Sequence, residues 1–232
     1  MPSWSIHLAV AKEINKTLNL DKDLFYFGNL IADIDYGNRL NRKDTHYNKN
    51  FKCKKCVSET LPDIKLFLKD YQIKLYDPLI MGYYTHLLTD YYYNNYVFSN
   101  CWVQENNKVV GIRLKNGKVI KTDSVDRTLR KDLKHYDFDL YGKYLYKNNC
   151  VELPNIDYDI TDSLSLLKKN FFDMEMVKKR IYYLNNEFYK FNKISLKERI
   201  IGYKLFTKEE LDKIFLDSCS FILKSIDNIK NI

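Results

Sequence analysis

The sequence predicts an all-α fold, a compact multi-helix domain with one small β-hairpin near residues 107–122. Apolar residues recur at intervals of three and four through most of the chain, which is the period of a helix with one buried face. A single stretch instead alternates apolar and polar residues around Asn116–Gly117. No Pro- or Gly-rich linker divides the 232 residues, so we expect one domain spanning residues 1–232.

Five segments carry the helical period strongly enough to predict helices. Pro62 and Pro78 stand near the start of two of them, where the missing N–H of proline is tolerated. Thr207 and Glu210 have the spacing of a capping box, which predicts a helix start there. The predicted helices are 6–18, 61–75, 78–98, 166–191 and 207–229.

The stretch NKVVGIRLKNGKVIKT, residues 107–122, predicts the hairpin. Two β-branched runs flank Asn116–Gly117, a dipeptide that adopts the positive φ of a tight turn. Both faces carry Lys or Arg beside Val and Ile. We therefore expect a surface insertion rather than part of a larger sheet.

The charge balance favours an anionic partner. Lys and Arg number 38 against 30 Asp and Glu, which gives a net charge of +8 and a pI near 9.0. Such an excess suits a phosphate ester, a nucleic acid or an anionic lipid surface, and the alternative is a solvated basic surface. Residues 39–55 hold seven basic groups against one acid, so positive charge is concentrated around His46.

The N-terminal sequence MPSWSIHLAVAKEINKTL has no basic start, long apolar core or small-residue cleavage site of a secretion signal. No run of apolar residues is long enough to span a bilayer, so we expect no transmembrane segment and a cytoplasmic protein. Five cysteines, an odd number, then indicate reduced thiols. The pair Cys53 and Cys56 lacks the second pair that a zinc knuckle needs.

Residues 81–95, MGYYTHLLTDYYYNN, place His86 and Asp90 four positions apart in an apolar and aromatic run. Positions four apart lie on one face of a helix, so both side chains can reach one point. Asp90 either orients a core histidine through a hydrogen bond or binds one cation together with it. Further ligand-type residues converging on the pair would favour the cation.

Three more residues have the chemistry of metal ligands. His7 shares a helix face with Val10 and Ala11, where the alternative is a hydrogen-bonded core histidine. Asp33 ends an apolar run, so its carboxylate is withdrawn from water and needs a cation, a hydrogen-bond cluster or a metal. His46 falls in a loop, where a solvated histidine is the alternative.

Together these residues predict a zinc site. Zinc accepts nitrogen and oxygen donors alike, and an aspartate between two ions can bridge them. A water held between two ions loses a proton near neutral pH and can attack phosphorus. No glycine-rich phosphate loop or activated nucleophile offers a comparable alternative in this sequence. The predicted set is Asp33, His46, His86 and Asp90, with His7 available to a second ion.

Four motifs follow one another in the order of a known family. They are the Trp-x-x-His that starts at Trp4, GNLIAD (28–33), DTHY (44–47) and GYYTHLLTD (82–90). Over residues 1–98 the sequence resembles the zinc-dependent phospholipase C family, which is related to zinc nucleases that cut single-stranded nucleic acid. The resemblance implies a largely helical fold and a cluster of one to three zinc ions, with two expected.

The resemblance also assigns ligand positions. His7 corresponds to the histidine of the N-terminal helix, Asp33 to the first aspartate ligand and His46 to the following histidine. His86 and Asp90 correspond to the His-x-x-x-Asp pair. The family's fold and phosphodiester hydrolysis are thereby expected of this chain.

The sequence departs from the family pattern in two places. Secreted members bind a metal through the free amino group of a terminal Trp, whereas Trp4 is internal. Tyr96 stands where the family has a histidine, six residues beyond the aspartate of the pair. His135 and Asp139 repeat the four-residue spacing and could match the family's final metal-binding pair, with a solvated acidic turn as the alternative.

The function predicted on this basis is zinc-dependent, phospholipase C-like phosphodiester hydrolysis. A metal-bound hydroxide is the expected nucleophile, Asp33 a ligand or proton acceptor, and Arg42, Lys43 and Lys49 attract the anion. The substrate class remains open among a phospholipid, a nucleotide and a nucleic acid, because surrounding loops choose it. Two alternatives are a non-catalytic helical metal-binding or scaffolding protein and a nucleic-acid-binding protein that uses its charge without chemistry.

Overall fold

The computed structural model describes residues 2–34, 42–49, 61–106, 108–121, 127–168, 174–186 and 188–230. Over these ranges the chain is mostly helical with small antiparallel sheets, as predicted, and none of the described helices is long and apolar enough to cross a membrane. The helices are α1 (Trp4–Leu18), α2 (Lys22–Ile31), α3 (Arg42–Thr45), α4 (Ile64–Tyr71), α5 (Pro78–Asn100), α6 (Arg127–Lys147), α7 (Thr161–Ser165), α8 (Met174–Asn186), α9 (Phe188–Phe191), α10 (Leu196–Ile201) and α11 (Lys208–Lys230). The strands are β1 (Asn48–Lys49), β2 (Leu61–Pro62), β3 (Trp102–Glu105), β4 (Lys108–Arg113) and β5 (Val119–Lys121).

The central helix of the fold is α5, which is buried on all sides along its first half. Its start follows the predicted pattern, because Pro78 occupies the first turn and the Asp77 side chain accepts hydrogen bonds from the N–H groups of Leu79 and Ile80. A helix that is apolar around its whole circumference needs partners on every face. Here α1, α2, α4 and α11 supply them.

Two glycines allow α2 and α5 to cross at backbone contact. A Cβ added at Gly28 would overlap the Leu79 carbonyl, and one added at Gly82 would overlap the Phe25 carbonyl. The Gly82 Cβ would also lie 2.8 Å from the backbone nitrogen of Asn29. The two helices are therefore held closer than side chains would permit, which brings the end of α2 beside the middle of α5.

The predicted helix 61–75 begins later than expected. Leu61 and Pro62 form β2, which pairs with β1, so the prediction of Pro62 in a first helical turn is wrong. The helix starts after Asp63, whose side chain accepts a hydrogen bond from the N–H of Leu66. An aspartate cap three residues before Leu66 fixes the start better than the proline does.

The C-terminal predictions are partly confirmed. Thr207 and Glu210 form the expected capping box, with the Glu210 N–H donating to Thr207 Oγ1 and the Thr207 N–H to Glu210 Oε2. The predicted helix 166–191 is not continuous, since Leu166 lies in the turn after α7 and α8 begins at Met174. Apolar spacing alone does not determine where α7 ends and α8 begins.

The predicted hairpin is present but belongs to a sheet of three strands. Gly117 turns with φ of 79°, and β4 pairs with β5 so that Ile112 faces Ile120. On its other edge β4 pairs with β3, which follows α5 directly. Val109 and Ile112 are buried, so the expectation of an isolated surface insertion is wrong. No turn dipeptide separates β3 from α5, which is why the sequence did not predict it.

We expect Gly82→Ala to destabilise the fold. The added methyl group meets backbone atoms that cannot rotate away, and overpacking of this kind costs about 2–3 kcal/mol in the free energy of unfolding. Chemical denaturation of both proteins measures the loss. Gly117→Asn is the matched control, because space around Gly117 is open and asparagine tolerates positive φ. Equal stability of Gly82→Ala and the parent chain would contradict the close crossing.

Candidate metal centre

Five of the seven predicted ligands meet in the core. His7 comes from α1, Asp33 from the turn after α2, and His46 from the turn after α3. His86 and Asp90 come from α5, one turn apart. All five are buried, with exposed fractions of 6% or less. Groups of this kind, gathered away from water, require charge compensation or hydrogen bonds.

His86 is oriented for metal binding by the backbone of α2. Its Nδ1 lies 2.8 Å from the carbonyl oxygen of Asn29. A carbonyl can only accept, so Nδ1 carries the proton and the lone pair of Nε2 points into the cluster. Burial, followed by electrostatic repulsion from the neighbouring His7 imidazole, lowers the pKa of His86 to about 3. The imidazole is therefore neutral at physiological pH, as a metal ligand must be.

Three ligand atoms of the centre lie close enough together to hold one metal ion. His86 Nε2 lies 3.3 Å from His46 Nε2, and His46 Nε2 lies 3.1 Å from Asp33 Oδ1. Asp90 Oδ2 is 3.7 Å from the Nε2 atoms of both histidines. Ligands about 2.0–2.1 Å from a zinc ion at tetrahedral angles lie about 3.3–3.4 Å apart. The first two distances are close to this spacing, so Asp33, His46 and His86 could hold one ion of that size.

A second group of ligand atoms comes from His7, His86 and Asp90, and it shares His86 with the first group. Asp90 Oδ1 lies 3.5 Å from His7 Nε2, while Asp90 Oδ2 faces the first group. The rings of His7 and His86 stack with centroids 4.0 Å apart. His7, His86 and Asp90 thus offer ligand atoms to one ion, and Asp33, His46 and His86 to another. The orientation of the two Asp90 oxygens suits a carboxylate that bridges two positions.

Several buried atoms in the centre lack hydrogen bonds. Both ring nitrogens of His7 and Oδ1 of Asp90 have none within the described part of the chain. Burial opposes ionisation of Asp90, but contact with His7 and the other imidazoles holds the pKa of its carboxyl well below its usual range. An ionised carboxylate beside unsatisfied nitrogens is the arrangement that a cation would complete.

His46 and Asp33 are held by neighbours that the sequence did not reveal. Thr45 Oγ1 lies 2.9 Å from His46 Nδ1, and the Tyr83 hydroxyl donates to the Thr45 carbonyl. Trp4 Nε1 donates to Asp33 Oδ2 at 3.2 Å, which leaves Oδ1 directed at His46. These contacts fix both ligands from outside the cluster.

The residues around Trp4 come from the second half of the chain. The Arg180 guanidinium lies 5.0 Å from the Trp4 ring centroid and donates to the carbonyl of Ile34, next to Asp33. The Phe188 ring stacks with the Trp4 indole, with ring centroids 6.4 Å apart. Helices α8 and α9 therefore stabilise the Asp33 end of the centre, a role that only the fold reveals.

His135 and Asp139 do not join either group of ligands among the described residues. Both lie on α6, where His135 is half-buried and Asp139 is exposed. The nearby Asp137 is buried, and its oxygens accept hydrogen bonds from the N–H groups of Lys204, Leu205 and Phe206. Helical spacing matched these residues to a metal pair, but their helix directs a different face toward the core.

The remaining residues that the sequence singled out lie outside the five-residue centre or outside the described residues. Tyr96 packs its ring 6.1 Å from that of Phe206, a contact within the apolar core. Lys43 is exposed, and its role in attracting anions stays a prediction. Cys53, Cys56 and the side chains of Arg42 and Lys49 lie outside the described residues.

We expect His86→Ala to remove metal binding. The substitution deletes a ligand atom common to both groups, so zinc affinity should fall on the order of 100-fold or more. Isothermal titration with zinc measures affinity and stoichiometry. His135→Ala is the matched control and should bind zinc as the parent chain does. Equal affinity of the His86→Ala protein would contradict the proposed centre.

We also expect Trp4→Phe to weaken zinc binding while keeping the fold. Phenylalanine preserves the aromatic contact with Arg180 and Phe188 but removes the N–H that orients Asp33. Loss of such an orienting group lowers metal affinity about tenfold. The same titration tests this, with Trp102→Phe as the control at the other tryptophan. A control that weakens binding equally would argue against a specific role for Trp4.

Comparisons with known proteins do not add to this picture. No family model, curated protein or solved structure matches the chain. The buried centre of three histidines and two aspartates is the feature of the described residues that bears most directly on function.

Proposed function

We propose that this chain is a zinc-dependent phosphodiester hydrolase of the phospholipase C and zinc nuclease type. The observation that carries the proposal is the orientation of the Asp90 carboxylate. Its Oδ1 lies near His7 and its Oδ2 near His86, so the two oxygens face two overlapping ligand groups. Paired metal positions joined by a carboxylate are a recurrent arrangement for displacement at phosphorus. The order of motifs from Trp4 to Asp90 supports the same family.

The residues of the centre have distinct roles in this proposal. His86 and His46 would offer nitrogen ligands, and the two oxygens of Asp90 would serve the two ligand groups. Asp33 presents Oδ1 as a ligand or proton acceptor, because Trp4 holds its other oxygen. Bound zinc supplies Lewis acidity toward a phosphoryl oxygen and activates water. The protein's contribution is to fix these groups before substrate arrives.

The substrate is proposed to be an anionic phosphate ester. The net charge of +8 raises the local concentration of anions, and the basic stretch 39–55 adjoins His46. A phospholipid, a nucleotide and a single-stranded nucleic acid all present a phosphodiester. The hydrolytic centre supplies the reaction for each of them, so only the surrounding surface distinguishes these substrates.

A second candidate is a structural metal site in a non-catalytic protein. The burial of the cluster favours it, since even Asp33, the most exposed member, is only 6% exposed. Structural zinc sites are closed by four protein ligands, whereas catalytic sites keep one position for water or substrate. Asp33, His46 and His86 offer three ligand atoms to one ion, and a shift of Asp90 Oδ2 from its 3.7 Å distance to both histidine Nε2 atoms would supply a fourth.

Turnover distinguishes these functions. We expect zinc-loaded protein to hydrolyse bis(p-nitrophenyl) phosphate, a phospholipid or single-stranded DNA. His86→Ala and a chelator should each lower the rate by at least about 100-fold, because they remove the metal that activates water. His135→Ala should retain the rate, which controls for loss of a histidine elsewhere.

The remaining outcomes assign the alternatives. Zinc-dependent melting without turnover on any substrate would favour the structural metal site. Binding to DNA that falls steeply with salt, without product, would favour a nucleic-acid-binding protein. Either result would overturn the hydrolase proposal.

A further inference from the structure

The inner face of α6 carries two buried positive charges. Arg130 and Lys134 lie one helical turn apart, with exposed fractions of 4% and 7%. A buried lysine or arginine needs a compensating partner. For Lys134 a hydrogen-bond partner is present in Asn94, whereas the guanidinium of Arg130 needs an explanation.

Lys134 of α6 contacts α5 one turn beyond the candidate metal ligands of that helix. Its Nζ donates to Asn94 Oδ1 at 2.9 Å. Asn94 follows Asp90 by one turn of the same helix, as Asp90 follows His86, and four residues of α-helix rise about 6 Å. A positive charge therefore lies one helical turn beyond the metal-binding pair. Such a charge repels a further cation and attracts an anion.

Arg130 lacks the partners that a buried guanidinium requires. Its Nε and Nη1 atoms are buried without a hydrogen bond in the described part of the chain. Asp137, on the same helix, has both oxygens engaged by the N–H groups of the 204–206 segment. Because an uncompensated buried charge is strongly unfavourable, a bound anion is the natural complement of this residue.

We propose that Arg130 and Lys134 form a binding site for a tetrahedral oxyanion of the phosphate class. A guanidinium suits two oxygens of one phosphate, and the lysine adds a second positive charge. The anion would be either free phosphate or the phosphoryl group of the ester substrate. The second identity rests on the proposed function, whereas phosphate binding itself does not.

The first test uses chelator-treated protein and inorganic phosphate. The parent chain should gain thermal stability as phosphate rises, and Arg130→Met should reduce phosphate affinity about ten- to hundredfold. Without phosphate, Arg130→Met should melt at the same or a higher temperature, because methionine removes buried nitrogen atoms that have no hydrogen bond among the described residues while filling much of their space. Arg199→Met, at an exposed position of α10, is the matched control for loss of one positive charge.

Two results would overturn the proposal. One is phosphate binding by Arg130→Met equal to that of the parent chain. The other is a parent chain whose melting temperature does not respond to phosphate; if the Arg130→Met protein then melts at a lower temperature, Arg130 is a structural residue. Lys134→Met provides a second variant, and it should also weaken phosphate binding.

The second test distinguishes the two sources of the anion. In zinc-loaded protein with full metal content, Arg130→Met should raise KM for bis(p-nitrophenyl) phosphate about tenfold if the site takes the substrate's phosphoryl group. An unchanged KM with lost phosphate affinity would assign the site to free phosphate. Absence of turnover in the parent chain would contradict the hydrolase proposal alone and leave the phosphate titration as the test of this site.

Discussion

The close crossing of α2 and α5 is the constraint on which the centre depends. Gly28 and Gly82 remove the side chains that would keep the two backbones apart. Their contact brings the Asn29 carbonyl within 2.8 Å of His86 Nδ1, which selects the imidazole tautomer. A wider separation would leave the proton of His86 free to move to the nitrogen that faces the cluster. Backbone packing therefore controls ligand chemistry at this point.

The polar groups of the core are arranged in a way that apolar packing alone does not require. Three imidazoles and two carboxylates share one buried volume, and further along α5 the face continues through Asn94 to Lys134 of α6. Negative groups therefore lie at one end of the row and positive groups at the other. That polarity matches a cation bound beside an anion, which is the charge pattern of a metal-assisted reaction on a phosphate ester.

The sequence was informative wherever local spacing determined geometry. The separation of His86 and Asp90 placed both on one helix face, and the apolar neighbours of Asp33 indicated its burial. The same spacing at His135 and Asp139 does not place them in either ligand group among the described residues, because periodicity does not say which face of a helix meets the core. Trp4 and Arg180 show a further limit, since their contacts join positions 4, 33 and 180 that only tertiary packing brings together.

The ligand residues are confined to the first 90 positions of the chain, whereas the aromatic and guanidinium groups around Trp4 come from α8 and α9. During synthesis the N-terminal segments emerge first and can fold before later ones exist. All five candidate ligands therefore precede, along the chain, the helices that contact Trp4 beside Asp33. If the centre takes up a metal ion, its ligand set would be complete before those helices are synthesised.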